Sequence, residues 1–312
     1  MAHMEQGTVY RSTGSWYSVK ANDIFYDCRL VGKLRMKGIQ STNPVVVGDH
    51  VLFEIDPKSD SPMGTITEIV DRKNGIIRKS VNLSKRTHII AANIDQVFLL
   101  VTLKEPPTHL PFIDRFLVAA EAYQIPVVLL FNKSDTYTST EASTVQDLRR
   151  IYEKIGYKTV SLSATQKKGI KEVQTLMQNK VSMISGHSGV GKTTLINAIA
   201  PGLNLKTAAI SSQHMQGQHT TTFTEMYDLD TSIKLIDTPG IKGFGVVDMA
   251  PDEITHYFPE FVKVAKRCKF HNCRHLKEPD CAVLKGVEEG EIAASRYASY
   301  KQLLEEDSTY RI

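Results

Sequence analysis

The chain has 312 residues, of which 41% are hydrophobic and 23% charged, and a formal net charge of +4. That composition is globular, gives length for two or three domains, and excludes disordered and collagen-like chains. The longest apolar runs, such as 96–102 and 127–131, are strand-sized and far below the ~18 residues of a membrane span, so a soluble protein is expected.

The start, Met1-Ala2-His3-Met4, lacks the pattern of a secretory signal and reads as a cloning remnant ahead of an original start at Met4. From Gly7 to about Asp71, short alternating runs at 7–10, 16–19, 24–26, 50–55 and 64–70 are separated by Gly, Asp, Asn and Pro. Five strands in so short a stretch suggest a closed barrel of the OB type, whose open face commonly binds oligonucleotides; a small structural β-domain is the alternative. Trp16, Tyr17, Phe25 and Tyr26 fall here, either as barrel core or as platforms for base stacking. Cys28 reads as a lone small core or surface residue.

After about Ser80 the pattern changes to strand 95–102, helix 113–123, strand 127–131, helix 145–155 and strand 159–162. It continues through a strand at 181–184, a helix from Lys192 to about Ile199 and a strand at 233–236. Apolar strands alternating with amphipathic helices predict a parallel sheet covered on both faces. Beyond about Val247 the pattern stops, leaving a cysteine cluster and a polar helical stretch at 293–306. The expected division is therefore 5–79 barrel, 80–247 α/β domain and 248–312 metal-binding, mainly helical domain.

Gly186-His187-Ser188-Gly189-Val190-Gly191-Lys192-Thr193 fits G-x-x-x-x-G-K-[ST], follows a predicted strand and opens a predicted helix. Its glycines let backbone N–H groups close around phosphate oxygens, and the helix N-terminus adds its positive dipole end. Lys192 is placed to reach the β- and γ-phosphates and Thr193 to offer its hydroxyl to Mg²⁺, with Thr194 on the same turn. Asn132-Lys133-Ser134-Asp135 follows the strand ending at Phe131 and matches N-K-x-D. A carboxylate there accepts from two guanine donors that adenine lacks, which favours GTP over ATP. Ser163 and Ala164 end the next strand, where backbone N–H groups can meet guanine O6. Asp237 closes the strand 233–236, placed to hold a Mg²⁺-bound water, and the N–H of Gly240 to sense the γ-phosphate. Between these lies Gly217-Gln218-His219-Thr220-Thr221-Thr222, where Thr221 is the first choice for a switch threonine on Mg²⁺.

The order is permuted. Base recognition at 132 and 163 precedes the phosphate loop at 186, whereas an ordinary GTPase begins with the phosphate loop. Moving only the termini keeps every loop at the carboxyl ends of the same strands, where such sheets bind ligands. It also runs the Asp237 loop directly into the C-terminal segment, so γ-phosphate contacts could pull on that module.

Cys268-x4-Cys273-x-His275-x5-Cys281 supplies three thiols and one imidazole, a full tetrahedron for one structural Zn²⁺ with no position left for catalysis. His271 is a substitute ligand. Four cysteines in a chain this long are too few for a disulfide scaffold and point to a reduced, cytoplasmic compartment. Around the cluster, residues 261–277 carry six Lys/Arg and no acidic residue, a patch for RNA phosphates or a solvated face.

Taken together, the barrel-like N-terminus, NKSD ahead of GHSGVGKTT, GQHTTT, DTPG and C-x4-C-x-H-x5-C resemble the ribosome small-subunit-dependent GTPase A family over essentially the whole chain. The resemblance implies a circularly permuted GTPase whose slow hydrolysis of GTP to GDP is stimulated by the small ribosomal subunit, with the barrel and zinc modules on ribosomal RNA. It also points to His219 as the group that orients the attacking water, since Ile241 stands where many GTPases place glutamine; the alternative is that His219 only holds its loop. A monomer without membrane association is expected. The competing reading is a nucleotide-gated RNA-binding checkpoint or guanine-nucleotide sensor whose turnover is incidental.

Overall fold

The computed structural model describes residues 3–31, 44–57, 59–79, 87–203, 224–237 and 249–309. Five N-terminal strands, β1 (His3–Ser12), β2 (Tyr17–Ala21), β3 (Ile24–Leu30), β4 (His50–Ile55) and β5 (Met63–Ile69), match the five expected runs. They pair in the order β1-β2-β3-β5-β4, and β4 returns to β1 to close the barrel. Closure leaves no barrel edge unpaired, the requirement that made a barrel the expected solution. Val9, Tyr17, Val19, Cys28, Val51, Phe53 and Ile66 fill the interior. Cys28 is thus a core residue, and burial pushes its thiol up to about 12.

β1 is long enough to pair with two strands of the barrel. Its first half pairs with β4 and its second half with β2, from Thr8↔Lys20 onward. Gly7 lies next to this changeover, and an added Cβ there would lie 2.5 Å from Val19 Cγ1 and 3.0 Å from Lys20 O, so a side chain does not fit without a shift. His3, set aside as part of a cloning remnant, pairs with Ile55.

A hairpin of β6 (Gly75–Lys79) and β7 (Thr87–Ala92) follows, straddling the boundary expected at 79. Then come β8 (Gln96–Val101), α1 (Leu110–Ala122), β9 (Val127–Phe131), α2 (Ser139–Ile155), β10 (Lys158–Ser161), α3 (Ile170–Met177), β11 (Lys180–Ser185), α4 (Lys192–Ile199), β12 (Glu225–Asp228) and β13 (Ile233–Asp237). Strands β10, β9, β8, β11 and β13 are neighbours in that order and all parallel, with β12 antiparallel at the end.

Every residue of β8 and β9 is buried, because helices cover both faces. Val97, Leu99, Leu129 and Phe131 face α1 and α2 with Phe116, Leu117 and Tyr152. Phe98, Leu100, Val128 and Leu130 face α3 and α4 with Val173, Leu195 and Ile196. Each such side chain contributes about 1.5–3 kcal/mol on burial. α2 starts on a capping box, with Thr138 Oγ1 accepting from the Glu141 N–H at 3.3 Å and the Glu141 carboxylate accepting from the Thr138 N–H at 2.8 Å.

The barrel and the α/β sheet are continuous. β12 pairs with β1 at Arg11↔Glu225, Tyr10 Oη donates to Asp228 Oδ1 at 2.6 Å, and Lys20 Nζ reaches Asp228 Oδ2 at 2.7 Å. The C-terminal segment is helical: α5 (Pro251–Ile254), α6 (Pro259–Ala265), α7 (Ala282–Glu288) and α8 (Ala294–Thr309). Its core of Phe258, Phe261, Val264 and Tyr300 also takes in Val118 of α1.

The stretch expected as a polar helix is α8, and its buried face differs from that expectation. Arg296, Ser299, Tyr300, Leu303 and Leu304 are all buried. The Arg296 guanidinium grips Glu260 through Nε at 2.7 Å and Nη2 at 3.2 Å, and Asp114 of α1 through Nη1 at 2.7 Å. A paired arginine can lie inside, which residue type alone does not show.

Candidate functional site: a nucleotide cradle and a Cys3His centre

Because β9, β10, β11 and β13 are parallel, the loops carrying 132–135, 163–164 and 186–191, together with Asp237 at the end of β13, emerge at one end of the sheet. Of the segments expected at the site, the described ones come together there. Asn132 is 2% exposed and ties two of the loops: its Nδ2 donates to Val190 O at 2.8 Å, and its Oδ1 accepts from the Ala164 N–H at 3.1 Å. Gly191, at φ +99°, permits this approach, since a Cβ there would stand 2.5 Å from Asn132 Nδ2. The Ala164 N–H aimed at guanine O6 by the sequence is therefore already engaged with Asn132.

Asp135 is exposed and open to a ligand. Its carboxyl is held below the usual carboxylate range by the hydroxyl of Ser163, with a further bond from Thr165 Oγ1 at 3.2 Å. Lys133 sits in the left-handed region and donates through Nζ to Glu105 O.

Lys192 opens α4 and folds back over the phosphate loop, donating to the carbonyls of Gly186 and, at 2.9 Å, His187. Burial lowers its ammonium below the usual lysine value, and Asp237 opposes that shift through its charge. Thr193 lies in the first turn of α4 beside it, with Thr194 next and the exposed Ser188 and Gly189 before it. Oxygen donors from Thr193 and Asp237 suit a hard cation such as Mg²⁺. His219, Thr221, Gly240 and Ile241 lie outside the described residues.

Sequence reasoning missed the loop joining β8 to α1. Thr108 Oγ1 lies 2.7 Å from His187 Nε2, Phe112 stands edge-on to the same ring at 5.8 Å, and Pro106 packs against Gly189. Tyr137 was missed as well: its hydroxyl donates to Asn132 O at 2.6 Å and accepts from the Leu103 N–H at 2.9 Å. No motif spacing marks either residue.

The second centre is built by α6, α7 and the turns between them. One donor atom from each of Cys268, Cys273, His275 and Cys281 lies within 4.8 Å of all the others. His275 Nδ1 is 3.7 Å from Cys268 Sγ and 3.4 Å from Cys281 Sγ. Zn–S and Zn–N bonds of about 2.3 and 2.05 Å give a tetrahedral S···N edge of about 3.6 Å, so the donors fit one zinc ion. Burial, with the neighbouring Cys281 and Cys268 sulfurs adding to it, pushes the Cys273 thiol up to about 12, and a central cation is what holds such sulfurs as thiolates. His271 is not part of the cluster.

The surrounding turn is shaped by Glu278. Its partial burial works against ionisation, but the N–H groups of Arg274, Leu276 and Lys277 bind the carboxylate and hold it at about 2. Tyr297 and Tyr300 brace the turn through the carbonyls of His275 and Arg274, at 2.9 and 2.7 Å.

In the basic patch, Arg267 pairs with Glu291 at 2.8 Å and Lys269 with Asp280 at 3.2 Å, both exposed. Of the barrel aromatics, Tyr17 is core and Tyr26 packs on Phe53. Phe25 remains 49% exposed, and Trp16 stacks with Arg29 at 3.9 Å.

A phosphate loop preceded in the chain by its own base-recognition loops, with a closed barrel before them and a Cys3His module behind, defines a circularly permuted P-loop GTPase. The chain belongs to the RsgA GTPase family: that family's profile matches residues 69–247, and the RsgA N-terminal domain matches residues 6–66. It is 60% identical over 309 residues to the small ribosomal subunit biogenesis GTPase RsgA of Christiangramia forsetii, covering 98% of both chains. To the protein of the same name from Bacteroides fragilis it is 50% identical, covering 98% of this chain and 99% of that one. The solved structure of YjeQ from Thermotoga maritima superposes with a TM-score of 0.79 at 34% identity, covering 97% of this chain and 98% of that chain. YloQ, described as a circularly permuted GTPase, gives 0.76 at 28% identity, covering 99% and 97%. The protein is a GTPase of this family, using GTP, GDP and Mg²⁺, with a Cys3His group able to bind one zinc ion.

Proposed function

We propose that this GTPase assists late maturation of the small ribosomal subunit in the cytoplasm, binding ribosomal RNA as a monomer in its GTP state and leaving after hydrolysis. The observation that carries the reading is the joining of the base and phosphate loops through Asn132, with the barrel paired to β12 at the edge of the sheet and the Cys3His module packed on α1. Relatives that match essentially the whole chain are named small ribosomal subunit biogenesis GTPases.

In this reading Asp135 accepts from the two guanine donors and Lys133 lines the base. Ser163 and Ala164 close the far side, where the Ala164 N–H would be shared between Asn132 and O6. The backbone of 186–191 wraps the phosphates, and Lys192 exchanges two carbonyl partners for phosphate oxygens. Thr193, Thr221 and Asp237 hold Mg²⁺, directly or through water, which neutralises charge on the phosphates. Gly240 senses the γ-phosphate, and His219 orients the attacking water. Exposed Phe25, the Trp16–Arg29 stack and residues 261–277 supply stacking and phosphate contacts for RNA.

The test is His219→Ala, read in two assays on the full chain. Subunit-stimulated GTP turnover should collapse while co-sedimentation with small subunits in a non-hydrolysable GTP analogue is retained. Unchanged stimulation would remove His219 from the reaction.

A further inference from the structure

Residues 102–109, the loop from β8 to α1, carry none of the recognised nucleotide motifs, yet they touch both halves of the nucleotide site. On the base side, Glu105 O receives Lys133 Nζ, and the Leu103 N–H reaches the hydroxyl of Tyr137, which in turn donates to Asn132 O. On the phosphate side, Pro106 packs on Gly189 and Thr108 meets His187. The loop is itself closed: Thr108 N–H donates to Thr102 O at 2.8 Å, Thr102 N–H to Thr108 Oγ1 at 3.0 Å, and Thr102 Oγ1 to Pro106 O at 2.6 Å.

The hydrogen-bond roles at His187 follow by elimination. Nδ1 lies 3.1 Å from Ser188 O, which can only accept, so Nδ1 carries the proton. Burial disfavours the charged ring more than the Ser188 carbonyl favours it, and Lys192 adds to the effect, so the neutral form is the favoured one. Nε2 is then an acceptor, and Thr108 Oγ1 donates to it while accepting from Thr102 N–H. The imidazole is fixed at both nitrogens, and the carbonyl of the same residue receives Lys192 Nζ.

We propose that the 102–109 loop is a positioning element of the nucleotide site, in which Thr108 fixes His187 and thereby holds the phosphate loop in its binding shape while the loop also fixes Lys133. This rests on the reading of 186–194 as the phosphate loop. A loop held open in advance loses less freedom when phosphate binds, so the expected signature lies in affinity.

The test uses the full chain with a fluorescent GDP, a fluorescent non-hydrolysable GTP analogue and steady-state GTP hydrolysis. Thr108→Val keeps the shape and removes the hydroxyl. It should raise Kd for both nucleotides and KM for GTP about ten-fold, with kcat at saturation within about three-fold of the parent, and Thr108→Ser should restore affinity to within about two-fold. His187→Ala should weaken binding comparably, and the double variant should bind no worse than His187→Ala alone, because Thr108 acts through that ring. Wild-type affinity in Thr108→Val, or full additivity in the double variant, would overturn the proposal. If Thr108→Val does not fold, His187→Ala decides, with wild-type affinity again overturning it. Lys192→Ala separates the two levels: if it leaves GTP binding intact, the phosphate-loop reading itself fails.

Discussion

The side-chain amide of Asn132 donates to the backbone carbonyl of Val190 at 2.8 Å, joining the loop after β9 to the loop ahead of α4 across 58 positions of chain. In an unpermuted GTPase the phosphate loop precedes the base loop; here the order is reversed and the contact is a property of the folded sheet. Asn132→Ala would leave Val190 O and Ala164 N–H without this buried partner, at about 1–3 kcal/mol for each group left unpaired. A lowered midpoint of thermal unfolding and a loss of more than ten-fold in GTP affinity are expected. Unchanged stability together with unchanged affinity would show that the contact does not organise the site.

Asp135 is expected to choose the base. Its carboxyl is held ionised by the Ser163 hydroxyl, so preference for GTP over ATP should stay flat as pH falls from 8 to 6. Asp135→Asn replaces an acceptor by a donor, and should exchange GTP for xanthosine triphosphate, whose 2-oxo group accepts where guanine donates. Competition binding with the three nucleotides reads this directly, and retained GTP preference in the variant would place base recognition elsewhere.

Much of this site is legible from sequence because its motifs are local: the glycines of 186–191, the N-K-x-D spacing and the Cys/His spacing each depend on neighbours in the chain. Strand alternation likewise places the five barrel strands within a few residues. The junction at Arg11↔Glu225 is not legible, because it joins segments far apart in sequence and β12 is only four residues long. Arg296 misleads for a different reason. An arginine in α8 reads as solvated, and its burial depends on Asp114 and Glu260, contributed by two other helices.

That buried cluster predicts a large stability effect. Arg296→Met leaves two carboxylates inside without their cation, which costs about 3–5 kcal/mol when one partner of a buried pair is removed. Denaturant unfolding should show the midpoint falling, and Arg296→Lys should rescue only in part, since one ammonium cannot make the forked contact with Glu260 and also reach Asp114. A midpoint equal to the parent's would mean that the cluster adds nothing to docking of the C-terminal helices.

Zinc removal should loosen the C-terminal segment ahead of the sheet. Chelation under mildly destabilising conditions is expected to release one zinc ion per chain and to speed amide exchange across 266–284, with the strands of the α/β sheet still protected. Cys281→Ser should do the same without chelator. Full protection of 266–284 in metal-free protein would show that hydrophobic packing alone holds the module.

The most direct measurement is GTP hydrolysis by the purified full chain with and without small ribosomal subunits, with large subunits and ATP as controls. The proposed function predicts slow turnover alone and strong stimulation confined to GTP and small subunits. Equal rates with and without small subunits would contradict it, and would leave a slow guanine-nucleotide binder acting as a sensor.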